Sequence, residues 1–259
     1  MTNLSLALVQ FIAGHDPRAN LDTIVGAIDD AARAGARLVV LPEAAMAGFG
    51  ADLRDVAEPL DGPFATGVRR AAREAGVVAV VGMFTPAGAR VRNTLLVTDG
   101  RGEDGVEERY DKIHLYDAFG FRESATVEAG DRTVVVEVDG VRIGLATCYD
   151  LRFGAHFTAL GRAGAQLVVV PASWAGGPGK AEQWDVLTRA RALDGQAWLA
   201  ACDQAWIEPG ARDLGVGLSR VVDPLGHVDA ALGEGPGMLR HVIDLERVAQ
   251  VRRALPVLD

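Results

Sequence analysis

Arg33-Ala-Gly-Ala-Arg-Leu-Val-Val-Leu-Pro42 is the stretch that decides the fold class, and a near copy follows at Arg162-Ala-Gly-Ala-Gln-Leu-Val-Val-Val-Pro171. Each copy predicts a helix end, a tight turn at glycine, a short apolar strand and a proline that stops the strand. Apolar runs without alternation are typical of strands that are covered on both faces. We therefore predict an α/β fold with helices on one side of each sheet and a second sheet on the other. The two copies are either a chance similarity or the halves of a duplicated domain, and the sequence leaves both open.

Strands and helices alternate along the rest of the chain. Asp16 and Pro17 suit an N-cap and a first helical position, and apolar residues then recur at helical spacing as far as Gly35. Asp139-Gly140 predicts a two-residue hairpin turn. The predicted helices cover residues 17–34, 64–75, 154–163 and 182–193, with a short one after residue 243. The predicted strands cover residues 4–10, 38–41, 77–84, 94–98, 133–138, 141–147, 166–170, 198–202, 219–223 and 227–231, and a last strand ends near residue 243.

The composition restricts the class of protein. Of 259 residues, 49% are hydrophobic and 24% are charged, which allows a large core. The net charge is -9, and the one basic stretch, Arg247–Arg253, is interpreted as the solvated face of a helix, so no nucleic acid partner is expected. No apolar run reaches the roughly 18 residues of a membrane span, and residues 1–10 are predicted to form a strand and not a signal peptide. Two cysteines make no disulfide framework, which favours a reducing, cytoplasmic location.

Cys148 is the first candidate for chemistry. It closes the apolar strand that starts at Val141 and is followed at once by the turn-forming pair Tyr149-Asp150. A strand end of this kind suits a nucleophile, although most free cysteines are small buried hydrophobes. Cys202 stands inside the apolar run that begins at Trp198, so we predict that it belongs to the core.

Two further strand ends offer the groups that a reactive thiol needs. Glu43 follows the strand Leu38–Leu41 and Pro42, where partial burial would make it a usable general base. Lys112, in Tyr110-Asp-Lys-Ile-His-Leu115, would lower the pKa of a nearby thiol and stabilise an oxyanion. Glu123, in Phe121-Arg-Glu-Ser-Ala125, is the third charged candidate. Each of the three could instead be an ordinary surface charge or a salt-bridge partner.

Other kinds of site have less support. The five histidines are His15, His114, His156, His227 and His241, and only His114 lies in a charged segment beside other candidates, so a Cys-His pair is open but weakly supported. No Cys or His pair has the spacing of metal ligands, and no glycine-rich phosphate loop is present. We therefore predict neither a metal nor another cofactor.

Together, Leu41-Pro-Glu43, Tyr110–Leu115 and Cys148-Tyr-Asp-Leu-Arg-Phe153 resemble the motifs of the nitrilase superfamily of carbon–nitrogen hydrolases. The resemblance extends over nearly the whole chain. It implies a four-layer α-β-β-α sandwich of the nitrilase type, formed by a single domain over residues 1–259. It also implies a homodimer or higher homo-oligomer, with the tail at about residues 244–259 in the dimer contacts.

The resemblance also assigns roles on a small-molecule amide substrate. Cys148 would attack the amide carbonyl to give a thioester and release ammonia, and Glu43 would take the thiol proton and later activate water. Lys112 and the backbone N–H of Tyr149 would hold the oxyanion. Glu123 matches a second glutamate that orients the substrate or the lysine.

Within the superfamily, Pro171-Ala-Ser-Trp174 and Gly177-Pro-Gly-Lys180 look most similar to bacterial deaminated glutathione amidases. Arg152, Trp174 and Lys180 would then meet a substrate carboxylate or its flanking groups, or else only pack at the rim. The alternatives are an ω-amidase on 2-oxo dicarboxylic monoamides, an N-carbamoyl amidohydrolase, a nitrilase, or a scaffold without activity. Two departures affect the substrate: Gly154-Ala155 stand where many members have Pro-Glu, and the segment 211–215 is short.

Overall fold

The computed structural model of the protein describes residues 3–206 and 215–258. In chain order, the first half contains β1 (Asn3–Gln10), α1 (Pro17–Arg33), β2 (Leu38–Val40), α2 (Leu53–Val56), α3 (Pro63–Ala75), β3 (Val78–Ala87), β4 (Arg90–Thr98), β5 (Glu107–Asp111), β6 (Asp117–Ala118) and β7 (Phe121–Arg122). The second half contains β8 (Val135–Val138), β9 (Val141–Leu145), α4 (Gly154–Arg162), β10 (Leu167–Ala172), α5 (Lys180–Gly195), β11 (Trp198–Asp203), β12 (Arg220–Val222), β13 (Val228–Ala231), β14 (Gly237–Asp244) and α6 (Leu245–Ala254).

Two six-stranded sheets repeat one topology. Their orders are β14-β1-β2-β3-β4-β5 and β8-β9-β10-β11-β12-β13. In each sheet the second, third and fourth strands are parallel and their outer neighbours are antiparallel. The two similar stretches supply the equivalent strands β2 and β10, each preceded by a helix and followed by another. This equivalence favours the interpretation as a duplicated domain over a chance similarity.

Alternate side chains of these strands point into different apolar layers. Leu38 and Val40 belong to the core between the two sheets, whereas Val39 packs against α1 and α3. Leu167 and Val169 likewise face the other sheet, and their neighbours face α4 and α5. Because both faces of the strand are buried, every position must be apolar, which explains the uninterrupted runs. The predicted four-layer α-β-β-α sandwich is confirmed.

Several local predictions are also confirmed. The Asp16 carboxylate accepts the N–H of Arg18 at 2.9 Å, with Pro17 as the first residue of α1. Asp139 and Gly140 form the β8–β9 hairpin turn with φ values of 50° and 80°. A turn in which both central residues have positive φ matches the twist of the flanking strands.

Other elements differ from the sequence prediction. The sequence predicted a strand end beside Lys112 but not the bounds of the strand before it. This strand, β5, has the highly charged sequence Glu-Glu-Arg-Tyr-Asp because it lies at a sheet edge that solvent reaches. The β6–β7 hairpin was too short to be recognised. Arg252 was expected on a solvated helix face, but its guanidinium donates to the carbonyl of Ala165 at 2.6 Å, so α6 is tied to the second sheet. Within the described ranges no helix is both long and apolar enough to cross a bilayer.

Candidate active site

Glu43 sits in a tight turn directly after β2. Ala44 has a φ of 55°, and the turn lies so close to β3 that a Cβ on Gly82 would be 2.7 Å from the carbonyl oxygen of Pro42. A glycine at position 82 is therefore what allows this approach. The Glu43 side chain is fully buried, and its Oε2 accepts the backbone N–H of Ser173 at 2.9 Å. Ser173 follows β10, so the equivalent strand ends of the two halves meet at Glu43.

Lys112 follows β5 and is buried between two carboxylates. Its Nζ is 2.9 Å from Glu43 Oε1 and 2.9 Å and 3.1 Å from the two oxygens of Glu123. Burial alone would lower the pKa of Lys112, but the charges of Glu123 and Glu43 outweigh it and hold that pKa well above its ordinary value. Lys112 is therefore an ammonium throughout the neutral range. One of its three N–H groups points to Glu43 and one is shared by the two Glu123 oxygens, which leaves the third for another acceptor.

Glu123 begins a short 3₁₀ turn after β7 and is also buried. Besides Lys112, its Oε2 accepts the backbone N–H of Tyr116 at 2.6 Å. This contact ties the carboxylate to the base of the β6–β7 hairpin. Glu123 is thus a buried salt-bridge partner of Lys112 within the cluster, and not an ordinary surface charge.

Asn93 is the member of the cluster that the sequence analysis missed. It lies on β4, is 1% exposed, and donates its side-chain N–H₂ to Glu43 Oε1 at 2.7 Å and to Glu123 Oε1 at 3.3 Å. Its backbone carbonyl accepts the N–H of Lys112 at 2.9 Å. One residue therefore contacts every charged member of the cluster. A neutral amide within a strand gives no signal in the sequence, because only the β4–β5 pairing brings it to Lys112.

Cys148 is the first residue of a 3₁₀ turn that follows β9, as the sequence predicted for a strand end. Its φ of 45° is unusual for a residue other than glycine, and such strain is concentrated at functional sites. The residue is 8% exposed. Burial and the charge of Glu43 raise its pKa well above the ordinary value, although Lys112 acts in the opposite direction. Lys112 thus lowers the pKa of this thiol, as expected, but burial and Glu43 outweigh it, so the thiol is protonated at rest and needs a base.

One cavity of about 430 Å³ unites the candidates. Its lining includes all the residues to which the family resemblance gave a role: Glu43, Lys112, Glu123, Cys148, Tyr149, Arg152, Trp174 and Lys180. Glu43, Lys112, Glu123 and Cys148 are buried, whereas Arg152 and Lys180 are half-buried toward solvent. The cavity therefore has a charged, buried end that contains the thiol and an open end that contains two cations.

Aromatic side chains surround these two cations. The Arg152 guanidinium lies 5.2 Å from the ring centre of Trp174, and the Lys180 ammonium lies 4.1 Å from that of Phe119 on the β6–β7 hairpin. Trp174 is itself fixed, since its ring N–H donates to the carbonyl of Lys180 at 3.1 Å. Among the residues that the structure describes, neither Arg152 nor Lys180 is within salt-bridge distance of a carboxylate. Burial and the neighbouring Arg152 lower the pKa of Lys180.

Lysine is rare in this chain, and its two occurrences are both in the cavity. Of 26 basic residues only Lys112 and Lys180 are lysines, and arginine fills every other position. An ammonium is a compact point charge, whereas a guanidinium is a planar fork, so the two are not equivalent. The cavity therefore holds both ammonium groups of the lysine side chains, one at its buried end and one at its open end.

The remaining sequence candidates lie elsewhere. Within the described parts of the chain no histidine lines the cavity, so the Cys-His alternative is wrong. In the same parts, no three His, Cys, Asp or Glu side chains are grouped so that they could hold a metal ion. Cys202 is fully buried between the sheets, as predicted for a core residue.

The two departures from the family pattern have different outcomes. Gly154 begins α4 where Arg191 and Asp194 of α5 are close by, and a Cβ at position 154 would be 2.2 Å from Arg191 Nη1. The glycine therefore makes room for that ion pair. The short segment at residues 211–215 lies, apart from its last residue, outside the described residues.

Comparisons with known proteins agree with this architecture. The family model described as carbon-nitrogen hydrolase matches residues 5–253. A Mycobacterium tuberculosis protein named only as a hydrolase is 50% identical over 98% of this chain and 94% of its own length. The deaminated glutathione amidase of Escherichia coli O157:H7 is 36% identical over 93% of this chain and 90% of its own. The crystal structure of an amidase from Nesterenkonia sp. superimposes with a TM-score of 0.81 at 29% identity, covering 98% of this chain and 95% of that one.

Proposed function

The chain belongs to the carbon-nitrogen hydrolase family, and we propose that it is a thiol amidase that hydrolyses a small carboxylated amide through a thioester on Cys148 and releases ammonia. The observation that carries the proposal is the arrangement of one cavity. Cys148 shares its buried end with Glu43, Lys112 and Glu123, and two cations without a carboxylate partner in the described structure stand at its open end.

The first half-reaction forms the thioester. Glu43 accepts the thiol proton as the Cys148 sulfur attacks the amide carbonyl carbon, and this proton transfer removes the carboxylate charge that opposes thiolate formation. The third N–H of Lys112 and the backbone N–H of Tyr149 donate to the oxyanion. Glu43 then returns the proton to the amide nitrogen, the C–N bond breaks, and ammonia leaves.

The second half-reaction releases the acid. Glu43 removes a proton from a water molecule, whose oxygen attacks the thioester carbonyl, and the same two donors hold the second oxyanion. The C–S bond breaks, the Cys148 sulfur takes the proton back from Glu43, and the carboxylic acid product leaves. Glu123 and Asn93 keep Lys112 and Glu43 in place through both steps.

For the substrate we propose deaminated glutathione or a close 2-oxo-amide. Arg152 and Lys180 would bind a substrate carboxylate, and Trp174 would form a wall of the pocket. The similarity to a deaminated glutathione amidase supports this choice. The alternatives that share this mechanism are an ω-amidase, an N-carbamoyl amidohydrolase and a nitrilase. The non-enzyme alternative is an inactive scaffold, whose Cys148 would not form the thioester.

The experiment that tests the proposal measures ammonia release from a panel of amides. The panel contains deaminated glutathione, α-ketoglutaramate, succinamate, N-carbamoyl-β-alanine and a simple nitrile. Cys148→Ala serves as the blank, and Cys202→Ala is the matched control that loses the other thiol. Preference for deaminated glutathione supports the proposal, turnover of another panel member alone overturns the substrate, and equal rates with Cys148→Ala overturn the mechanism.

We also propose that the protein works in the cytoplasm as a homodimer in which α5 and the tail at residues 244–259 take part. Val186 and Leu193 of α5, and Leu255 and Val257 of the tail, are exposed apolar side chains. Two adjoining surfaces of this kind suit a contact between copies. Light scattering after size exclusion should give about twice the chain mass of 27.3 kDa, and a monomer at micromolar concentration would contradict the proposal.

A further inference from the structure

Asp150 is a fully buried carboxylate that the proposed mechanism does not use and that does not line the cavity. It accepts four hydrogen bonds. Oδ2 accepts the hydroxyl of Tyr110 at 2.6 Å and the backbone N–H of Thr147 at 2.8 Å. Oδ1 accepts the backbone N–H of His114 at 3.1 Å and contacts the His114 ring Nδ1 at 2.7 Å. Such a site is fully satisfied, which makes it rigid.

The partners of Asp150 come from only two places in the chain. Tyr110 and His114 stand two residues before and two residues after Lys112, whereas Thr147 and Asp150 itself flank Cys148. Lys112 and Cys148 belong to different sheets, since one follows β5 and the other follows β9. One carboxylate therefore joins the segment that carries the ammonium to the segment that carries the thiol.

The surroundings of Asp150 keep its carboxylate ionised and the Tyr110 hydroxyl protonated at neutral pH. Burial alone would raise the pKa of Asp150, but the hydrogen bonds with His114, Tyr110 and Thr147 and the electrostatic effect of His156 outweigh it and lower that pKa below its ordinary value. Burial and the Asp150 charge raise the pKa of Tyr110 well above its ordinary value. The carboxylate thus stays an acceptor and the tyrosine stays a donor. The His114 ring is also held from its other side, stacked at 3.7 Å between ring centres on Phe153.

We propose that Asp150 is a positioning residue that sets the distance between the Lys112 ammonium and the Cys148 sulfur. The inference rests on the proposed roles of Lys112 and Cys148. Loss of the carboxylate would let the two segments separate, and a displacement of about 1 Å at a reacting group can cost about a hundredfold in rate. The larger effect would fall on kcat, because Lys112 and Cys148 act at the reacting carbonyl, whereas Lys180, which faces the substrate's carboxylate, is held separately at the start of α5.

Asp223 supplies a matched control. It is a buried carboxylate in the turn between β12 and β13, and it accepts the backbone N–H groups of Leu225 and His227 at 2.8 Å and 2.9 Å. It also contacts His227 Nδ1 at 3.2 Å and Arg247 at 2.9 Å. Its chemistry resembles that of Asp150, but it touches no segment of the cavity. Asp150→Asn and Asp223→Asn should therefore lower the melting temperature in the same way.

The experiment compares these two variants in the full-length protein. For Asp150→Asn we expect kcat to fall by about tenfold to a hundredfold with KM changed by less than about threefold, and for Asp223→Asn we expect the wild-type kcat. Equal kcat for the two folded variants would overturn the inference. Tyr110→Phe covers the case in which Asp150→Asn does not fold. It removes one donor only and should lower kcat by about threefold to tenfold, and a wild-type kcat would again overturn the inference.

A second measurement needs no substrate and so separates this inference from the proposed function. The Lys112 charge favours the Cys148 thiolate, so its displacement should slow the alkylation of Cys148 by iodoacetamide. We expect slower labelling in Asp150→Asn and wild-type labelling in Asp223→Asn, even if no amide of the panel is turned over. Equal labelling rates would overturn the positioning role, whereas a protein that labels as expected but hydrolyses no amide would overturn only the function.

Discussion

Replacing Gly82 with alanine should lower kcat, although Gly82 does not line the cavity. Gly82 lies on β3 behind the turn that carries Glu43, and it does not line the cavity. An added Cβ would be 2.7 Å from the Pro42 oxygen, 2.8 Å from the Ala44 nitrogen and 2.9 Å from the Glu43 Cα. All three are backbone atoms, so no side-chain rotation can relieve the contact.

The size of the effect follows from these distances. Comfortable contact needs about 3.4 Å or more, so the turn must retreat by roughly 0.5–0.7 Å. Crowding of this kind costs about 1–3 kcal/mol in the free energy of unfolding. A shift of this size at Glu43, the proposed general base, should lower kcat by about tenfold to a hundredfold. The melting temperature should fall by about 2–12 °C, since a chain of this length loses about 2–4 °C per kcal/mol.

Gly67→Ala is the matched control for crowding. Its Cβ would be 2.6 Å from Leu21 Cδ2, the end of a flexible side chain between α1 and α3, far along the chain from Glu43. Ammonia release and thermal unfolding are measured for both variants. Gly67→Ala should keep the wild-type kcat whatever its stability. A Gly82→Ala enzyme with kcat within about twofold of wild type, or an equal loss of kcat in the two variants, would refute the reasoning.

Four further outcomes are expected. Iodoacetamide should label Cys148 much faster than Cys202, and because the pKa of Cys148 is raised, its rate should climb about tenfold per pH unit between pH 6 and 9; a plateau below pH 8 would contradict this. Glu43→Gln should remain folded by circular dichroism yet lose ammonia release, and near wild-type turnover would exclude Glu43 as the base. Asn93→Ala removes the donor that holds Glu43 and Glu123 beside Lys112, so kcat should fall by about tenfold, and a wild-type kcat would argue against a positioning role. Lys180→Met should raise KM for carboxylated amides by about tenfold or more and leave KM for a neutral amide unchanged, whereas equal changes would show that Lys180 only supports the pocket.

The sequence could predict the parts of the site that carry a charge or a nucleophile at a strand end. The uninterrupted strands after Arg33 and Arg162 indicated the layers, because burial on both faces excludes polar residues. Glu43, Lys112 and Cys148 were identified for a different reason: each is a charged or nucleophilic residue at the end of a strand.

What the sequence could not provide depends on contacts between distant segments. Asn93 is a neutral amide whose position beside two carboxylates arises from the pairing of β4 with β5. The sign of the Cys148 pKa shift required knowing how deeply the thiol is buried and how close Glu43 lies, and neither is a local property. The sequence predicts only that Asp150 is a turn residue. Its contacts with Tyr110, His114 and Thr147, which connect the two sheets, are found only in the structure.

Because the chain has only two lysines, selective isotope labelling of lysine would report on the cavity alone. A chain grown with ¹⁵N-lysine would carry two labelled side-chain nitrogens, and both belong to the cavity. Because the pKa of Lys180 is lowered and that of Lys112 is raised, the signal that titrates first as the pH increases belongs to Lys180. Nuclear magnetic resonance could therefore follow the open and the buried ends of the pocket separately during turnover, without background from the rest of the molecule.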